Sequence, residues 1–264
     1  MLDYIHNVRE YLDFDKKEIW AIVVSILLFT LVLGYDDGYD SFIAARYFLN
    51  LFDSFIIATS LVLAKELGQK LFAISRGYTV KIKLWYPMVI IQLLVLILTQ
   101  GSVHIILPVM GMFIHHNEKL RLGRFRFGHH YFDNAIIAFT GPLTSIYFAY
   151  LFKIFSNFSN PLIEIAMLSH IIYALVNMLP LDFAFILRSN RHLEHADIDK
   201  HPAPFTGTYI FAHSRTLFIF CISSLCVLSA GLVAGGIILS TFLAFLFAGT
   251  TWLIVGYYRS FDLH

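Results

Sequence analysis

The sequence predicts an all-α polytopic membrane protein, six transmembrane helices with a re-entrant, β-like hairpin, and three observations carry that prediction. Of 264 residues, 58% are hydrophobic and only 14% charged, and the mean hydropathy is +0.70. A soluble domain of this length needs a polar skin that so few polar residues cannot supply, so the bilayer has to be the solvent. Six apolar runs, roughly 19–33, 42–64, 131–155, 161–180, 206–228 and 231–257, each approach the ~20 residues a crossing helix needs. Lysine and arginine cluster in alternate loops, as cytoplasmic loops do.

Residues 1–18 place Asp3, Glu10, Asp13, Asp15 and Glu18 against Arg9, Lys16 and Lys17. No small-x-small cleavage pattern follows the first apolar run, so this segment reads as a cytoplasmic N-terminal stretch before a retained anchor, not a secretory signal. The loop after the first span carries Asp36, Asp37 and Asp40 and reads as external. Lys70, Arg76, Lys81 and Lys83 follow the second span, Lys119, Arg121, Arg124 and Arg126 precede the third, and Arg188, Arg191 and Lys200 follow the fourth. These basic loops share one side only if residues 84–114 enter and leave the membrane by the same face.

That region is apolar but broken at Gln100-Gly101-Ser102 and again at Pro108, leaving two arms too short to span as helices. A re-entrant hairpin at about 80–114 follows, and its backbone has to find its hydrogen bonds internally and be walled by the helices. Both termini are then cytoplasmic, in a plasma (cytoplasmic) membrane protein. No repeat, low-complexity tract or flexible linker divides the chain, so residues 1–264 form one membrane domain, ending in a C-terminal helix pair at 206–257. Cys221 and Cys226, the only two cysteines, lie on different faces of one apolar run and read as packing residues, neither a disulfide nor a thiolate site. A net charge of +1 supplies no field to recruit nucleic acid.

Ionisable groups inside apolar helices are expensive and suggest function. Three polar constellations qualify: Ala64-Lys65-Glu66-Leu67-Gly68-Gln69-Lys70 at the cytoplasmic end of the second span, Thr140-Gly141-Pro142-Leu143 early in the third, and Asn177-Met178-Leu179-Pro180-Leu181-Asp182 at the cytoplasmic end of the fourth. The first and last lie at similar depth, so they can meet in one site. Each has a plainer reading: a helix end with snorkelling side chains, close helix packing with a kink, and a Pro-terminated helix.

In order and spacing these segments resemble the site-2 protease family, intramembrane zinc metalloproteases with H-E-x-x-H on one helix and an aspartate from N-x-x-P…L-D-G on a later one. The similarity runs over about 58–190, which would be the site-2 protease-like core. Leu63 to Gln69 stands where the histidine motif would be, Arg76-Gly77-Tyr78 to Trp85 resembles the Gly-Tyr and Trp stretch of prokaryotic members, and Gly141-Pro142-Leu143-Thr144 is similar to the Gly-Pro helix. Asn177 to Asp182 resembles a shortened aspartate motif, with Phe183 where glycine is expected. The resemblance implies Glu66 at the catalytic base position, Lys65, Gln69 and Asp182 at the three ligand positions, and a groove near Gly141, Pro142, Asn177 and Pro180 that takes a substrate helix.

Two histidines four apart would project onto one metal while the glutamate activates its water. Lysine and glutamine are not usual zinc ligands, and an ammonium about 4 Å from a dication is repelled by about 8 kcal/mol at an effective dielectric of ~20. No metal or other cofactor is therefore expected here. A Lys65–Asp182 ion pair is expected in its place, with Gln69 donating to a neighbouring carboxylate.

A relocated metal site has one candidate: His192, His195 and Asp199 share a face if 190–201 is helical, although a polar loop ending in His-Pro-Ala-Pro reads first as a solvated segment. The pairs His115-His116 and His129-His130 diverge on either regular structure and are assigned no metal. Arg124-Phe125-Arg126-Phe127 alternates as an interfacial strand would, aromatic rings at the headgroups and arginines on phosphates. Three functions stay open: a proteolytically inactive member binding transmembrane segments of client proteins, an active protease with relocated zinc ligands, and a scaffold subunit of a membrane complex. The expected partners are the lipid bilayer and such segments, with no nucleic acid.

Overall fold

The computed structural model describes residues 2–36, 43–102, 104–116, 131–156, 161–181 and 204–234, with short helical pieces between 238 and 250. The chain is mostly helical. A short helix α1 (Leu2–Tyr11) leads into α2 (Lys16–Gly34), whose start is set by Glu18: its carboxylate accepts the Asp15 backbone N–H at 3.0 Å, satisfying a donor the helix cannot. Helix α3 (Ala44–Ser75) runs 32 residues, well beyond the predicted 42–64. Ala64 to Lys70 contains good helix formers and no proline, so nothing stops the helix where the polar residues begin.

Strand β1 (Tyr78–Leu84) pairs antiparallel with β2 (Met110–His116), Tyr78 opposite His116 and Leu84 opposite Met110. The turn into β1 is made at Gly77, whose φ of +76° suits glycine. Between the strands, α4 (Tyr86–Thr99) has 14 residues, starts with a proline in its first turn and ends at Gln100 in the left-handed conformation (φ +50°). The expected hairpin is thus β only at its base. Its outgoing arm is a helix of ~21 Å, too short to cross, and its return arm, 104–109, has no regular structure.

Gln92 ties the two arms together, donating to the Ile105 carbonyl at 3.1 Å and accepting the Leu107 N–H at 2.6 Å. The arm without a helical ladder is therefore the one that is stapled, and its Ile106 and Val109 are fully buried. The helical arm needs no such wall, and Ile97 and Leu98 on it are exposed.

Helices α5 (Tyr131–Ser156) and α6 (Pro161–Asn177) form the largest helix pair, and both pack on α3. The predicted fifth span, 206–228, is broken into α7 (Thr206–His213) and α8 (Arg215–Ala234). Ser214 causes the break: its backbone is extended and its hydroxyl accepts the Leu217 N–H at 3.3 Å, an N-cap inside an apolar run. Among the described residues four helices, α2, α3, α5 and α8, are long and apolar enough to cross a membrane. Helix α6, at 17 residues, sits at the lower limit for a crossing. The 231–257 run, the basic loop 117–130 and the 190–203 segment fall largely or wholly outside the described residues.

Helix α7 seals the C-terminal end of α6. Thr206 Oγ1 donates to the Asn177 carbonyl at 3.1 Å, one of the carbonyls α6 leaves free. Beside it, a Cβ on Gly207 would overlap the Met178 carbonyl, backbone that cannot rotate away. Gly207→Ala is therefore expected to destabilise the protein by about 1–3 kcal/mol, read as a lower melting temperature in detergent; an unchanged melting temperature would mean that α7 docks differently.

Candidate functional site

Lys65, Glu66 and Gln69 sit two thirds of the way along α3, where its face meets α5 and α6. They are 2%, 1% and 0% exposed, so the snorkelling helix end is excluded: these side chains lie inside the bundle. Lys65 Nζ donates to Glu66 Oε1 at 2.8 Å, a buried pair between neighbours in sequence. Tyr173 on α6 stands close enough for both charges to act on its hydroxyl.

The expected partner of Lys65, Asp182, lies outside the described residues, as do Phe183, His192, His195 and Asp199. What the described residues supply to the ammonium is Glu66. The base position and the first ligand position thus neutralise one another, where the resemblance would have them flank a metal. Neither the amide of Gln69 nor the ammonium of Lys65 fits zinc, and among the described residues no group of three or more histidines, cysteines and carboxylates could hold a metal.

Gln69 corrects the expectation that it donates to a carboxylate. Its Nε2 reaches the Ala138 backbone carbonyl at 3.2 Å, and Pro142 explains why. Proline has no N–H, so the carbonyl four residues earlier loses its helical donor, and that carbonyl is Ala138. Gly141 makes the approach possible, because a Cβ there would lie 2.5 Å from Gln69 Nε2. Gly68 opposite Thr144 keeps the same crossing close. The Gly-Pro segment and the ligand-position helix are locked together by one side-chain-to-backbone bond, and the kink residue and the packing residue are halves of one device.

Asn177 is fully buried at the end of α6, its Nδ2 donating to the Tyr173 carbonyl at 2.7 Å. Pro180 follows the helix end, as a Pro-terminated helix requires. Glu66, Gln69, Tyr173 and Asn177 therefore occupy one region between α3, α5 and α6, where the Tyr173 hydroxyl meets the Asn177 side chain while Glu66 Oε2 and Gln69 Oε1 have no hydrogen-bond partner among the described residues. Each unmet buried polar atom costs about 1–3 kcal/mol.

Lys70, next along α3, does different work. Its ammonium bonds Glu18 Oε2 at 3.0 Å and the Asp13 carbonyl at 2.8 Å and lies over the Phe14 ring, while Glu18 Oε1 accepts the Ile82 N–H at 2.8 Å. This clamp fastens the α1–α2 junction, α3 and the base of the hairpin. It lines a cavity of about 130 Å³ with Tyr11, Asp15 and Lys81.

His170 and Tyr173 were not singled out from the sequence. His170 Nε2 lies 3.0 Å from Ser60 Oγ, its ring stacked on Phe148 and tilted against Phe152. The available signal was the spacing 170, 173, 177, which puts the three polar groups of α6 on one helix face. Compared with protein-family models, with curated proteins and with solved structures, the chain matches none.

Proposed function

We propose that this chain is a proteolytically inactive, site-2 protease-like membrane protein that binds transmembrane segments of client proteins. The observation that carries the proposal is the buried Lys65–Glu66 pair, standing where the motif resemblance puts a zinc ligand and a catalytic base, on a helix locked to the Gly141-Pro142 segment. A carboxylate engaged by an ammonium has no metal-polarised water to deprotonate. The binding element would be the hairpin and the helices beside it, held on the bundle by the Glu18–Lys70 clamp.

In this proposal six helices cross the membrane: the four long ones, α6, and one within 231–257. The antiparallel β1–β2 pairing supports the re-entrant geometry, since it returns the chain to the end from which it left. Both termini then face the cytoplasm of a plasma membrane protein, with 115–130 and 188–204 on that side and 34–41 outside. A single cysteine introduced at position 122 should resist an impermeant maleimide in intact cells and react after permeabilisation. Labelling from outside would contradict the hairpin.

The function itself is tested in nanodiscs by photo-crosslinking the purified chain to a transmembrane peptide and following peptide length in parallel. The expected result is crosslinking without cleavage, with Glu66→Gln leaving peptide length unchanged. Cleavage abolished by both Glu66→Gln and a chelator would establish an active protease with relocated ligands. Capture of a membrane partner with no peptide crosslinking would favour the scaffold.

A further inference from the structure

Side chains alternate along β1, so Tyr78, Val80 and Ile82 point into the bundle and are buried, whereas Lys81 and Lys83 share the opposite face and are exposed. Across the register Phe113 stands opposite Lys81 and Gly111 opposite Lys83. With no side chain opposite it, Lys83 lies over the buried Phe113 ring, its ammonium 4.6 Å from the ring centre. It rests on apolar surface and holds its charge outward, as a lysine at a membrane boundary does.

The same level of the molecule carries two more lysines. Glu18 accepts the Ile82 N–H at 2.8 Å and Asp15 pairs with Lys81 at 3.2 Å, so the first turn of α2, with exposed Lys16 and Lys17, is fixed beside the Lys81–Lys83 face. Cations in the first turn of a helix oppose its dipole, so helix stability does not account for them. The carboxylates facing these lysines are Asp13 and Asp15, both exposed, while Glu18 is buried on Lys70. The surface is left with a positive excess.

Apolar, outward-facing surface begins directly beside it. On α2, Lys16, Trp20, Val23, Leu27 and Leu31 follow helical spacing and are all exposed; on α4, Tyr86, Ile90, Leu93 and Ile97 do the same. Each stripe starts with an amphipathic ring, Trp20 or Tyr86, of the kind that sits at headgroup depth. Each is preceded by a lysine, Lys16 or Lys83. The order lysine, aromatic, aliphatic thus recurs on two elements distant in sequence and held at one level, and it matches a lipid leaflet read from phosphate to acyl chain.

We infer that Lys16, Lys17, Lys81 and Lys83 form a docking surface for the headgroups of anionic phospholipids, whose acyl chains lie along the α2 and α4 stripes. An acidic soluble protein would match the charge but not the apolar stripes that begin one turn away. Bound lipid holds the α1–α2 junction and the base of the hairpin at the membrane boundary, whether or not client segments bind.

Trp20 is the natural reporter, and Trp85→Phe with Trp252→Phe leaves it as the only tryptophan of the full-length chain. In phosphatidylcholine vesicles with a minor share of phosphatidylglycerol, brominated phosphatidylglycerol should quench Trp20 at least about fivefold more per mole than brominated phosphatidylcholine, the factor one lysine contributes at an anionic surface. Adding Lys16→Gln and Lys83→Gln, both at exposed positions, should bring the ratio close to one, and so should high salt with all four lysines present. A preference that survives the two substitutions unchanged would overturn the inference. Equal quenching by the two lipids with all four lysines present would also overturn it, and tight binding of polyglutamate in that case would identify an acidic protein as the partner instead.

Discussion

Lys65→Ala is expected to cost about 3–5 kcal/mol of stability, because it leaves the Glu66 carboxylate buried without its cation. Among the described residues that carboxylate accepts only the Lys65 ammonium, at Oε1, and its Oε2 has no partner. Combining Lys65→Ala with Glu66→Gln should recover part of the loss, so a double-mutant cycle should show coupling of about 2 kcal/mol or more. Lys81→Ala provides the contrast. Its pair with Asp15 spans 3.2 Å but both side chains are more than half exposed, and such pairs contribute about 0–1 kcal/mol. Chemical unfolding in detergent measures all four variants. Equal losses for Lys65→Ala and Lys81→Ala would show that the Lys65 pair is solvated.

Lys65→His with Gln69→His should give a chain that binds about one equivalent of zinc. The two positions are four residues apart on one helix face and both are buried, so paired imidazoles would project together with Glu66 between them. The double change also removes the repelling ammonium. It costs the Gln69 bond to Ala138, about 1 kcal/mol, small beside the stabilisation a bound metal brings. The third ligand implied by the motif resemblance is Asp182. Metal analysis of the two single variants and the double variant checks this: each single variant should carry much less than one equivalent. A double variant without zinc would mean that α3 and the Asn177–Asp182 segment are not arranged as the resemblance implies.

The parts of the fold legible in the sequence were those written in local chemistry. Gln100-Gly101 marked the hairpin tip because the backbone there has to turn left-handed, and the basic residues of 70–83 marked the side to which the chain returns. Ser214 was equally local, a serine ahead of an apolar helix, but a hydropathy window passes over a single polar residue and fuses α7 with α8. The end of α3 was misplaced for the opposite reason. Charge suggested an interface at residue 65, while the helix continues to Ser75, burying Lys65 beside its neighbour Glu66 and Lys70 against the distant Glu18. Polarity in a window cannot reveal such a partner.

The candidate site shows the same division. Gly141, Pro142, Glu66 and Asn177 stood out as motif residues, and the structure gathers them around the α3–α5–α6 contact. The partner of Gln69 could not be read, because it is a backbone carbonyl released by a proline on another helix. Nor could the partner of Lys65, where the choice between Glu66 and a remote carboxylate depends on burial and side-chain direction.

The zinc content of the wild-type protein, purified from membranes without chelator, tests the central claim most directly, because a site neutralised by Lys65 and Glu66 leaves a dication neither ligands nor charge. Elemental analysis should find no zinc above the level of a buffer blank, before and after incubation with zinc and gel filtration. One zinc per chain, retained through gel filtration and removed by a chelator, would contradict the account.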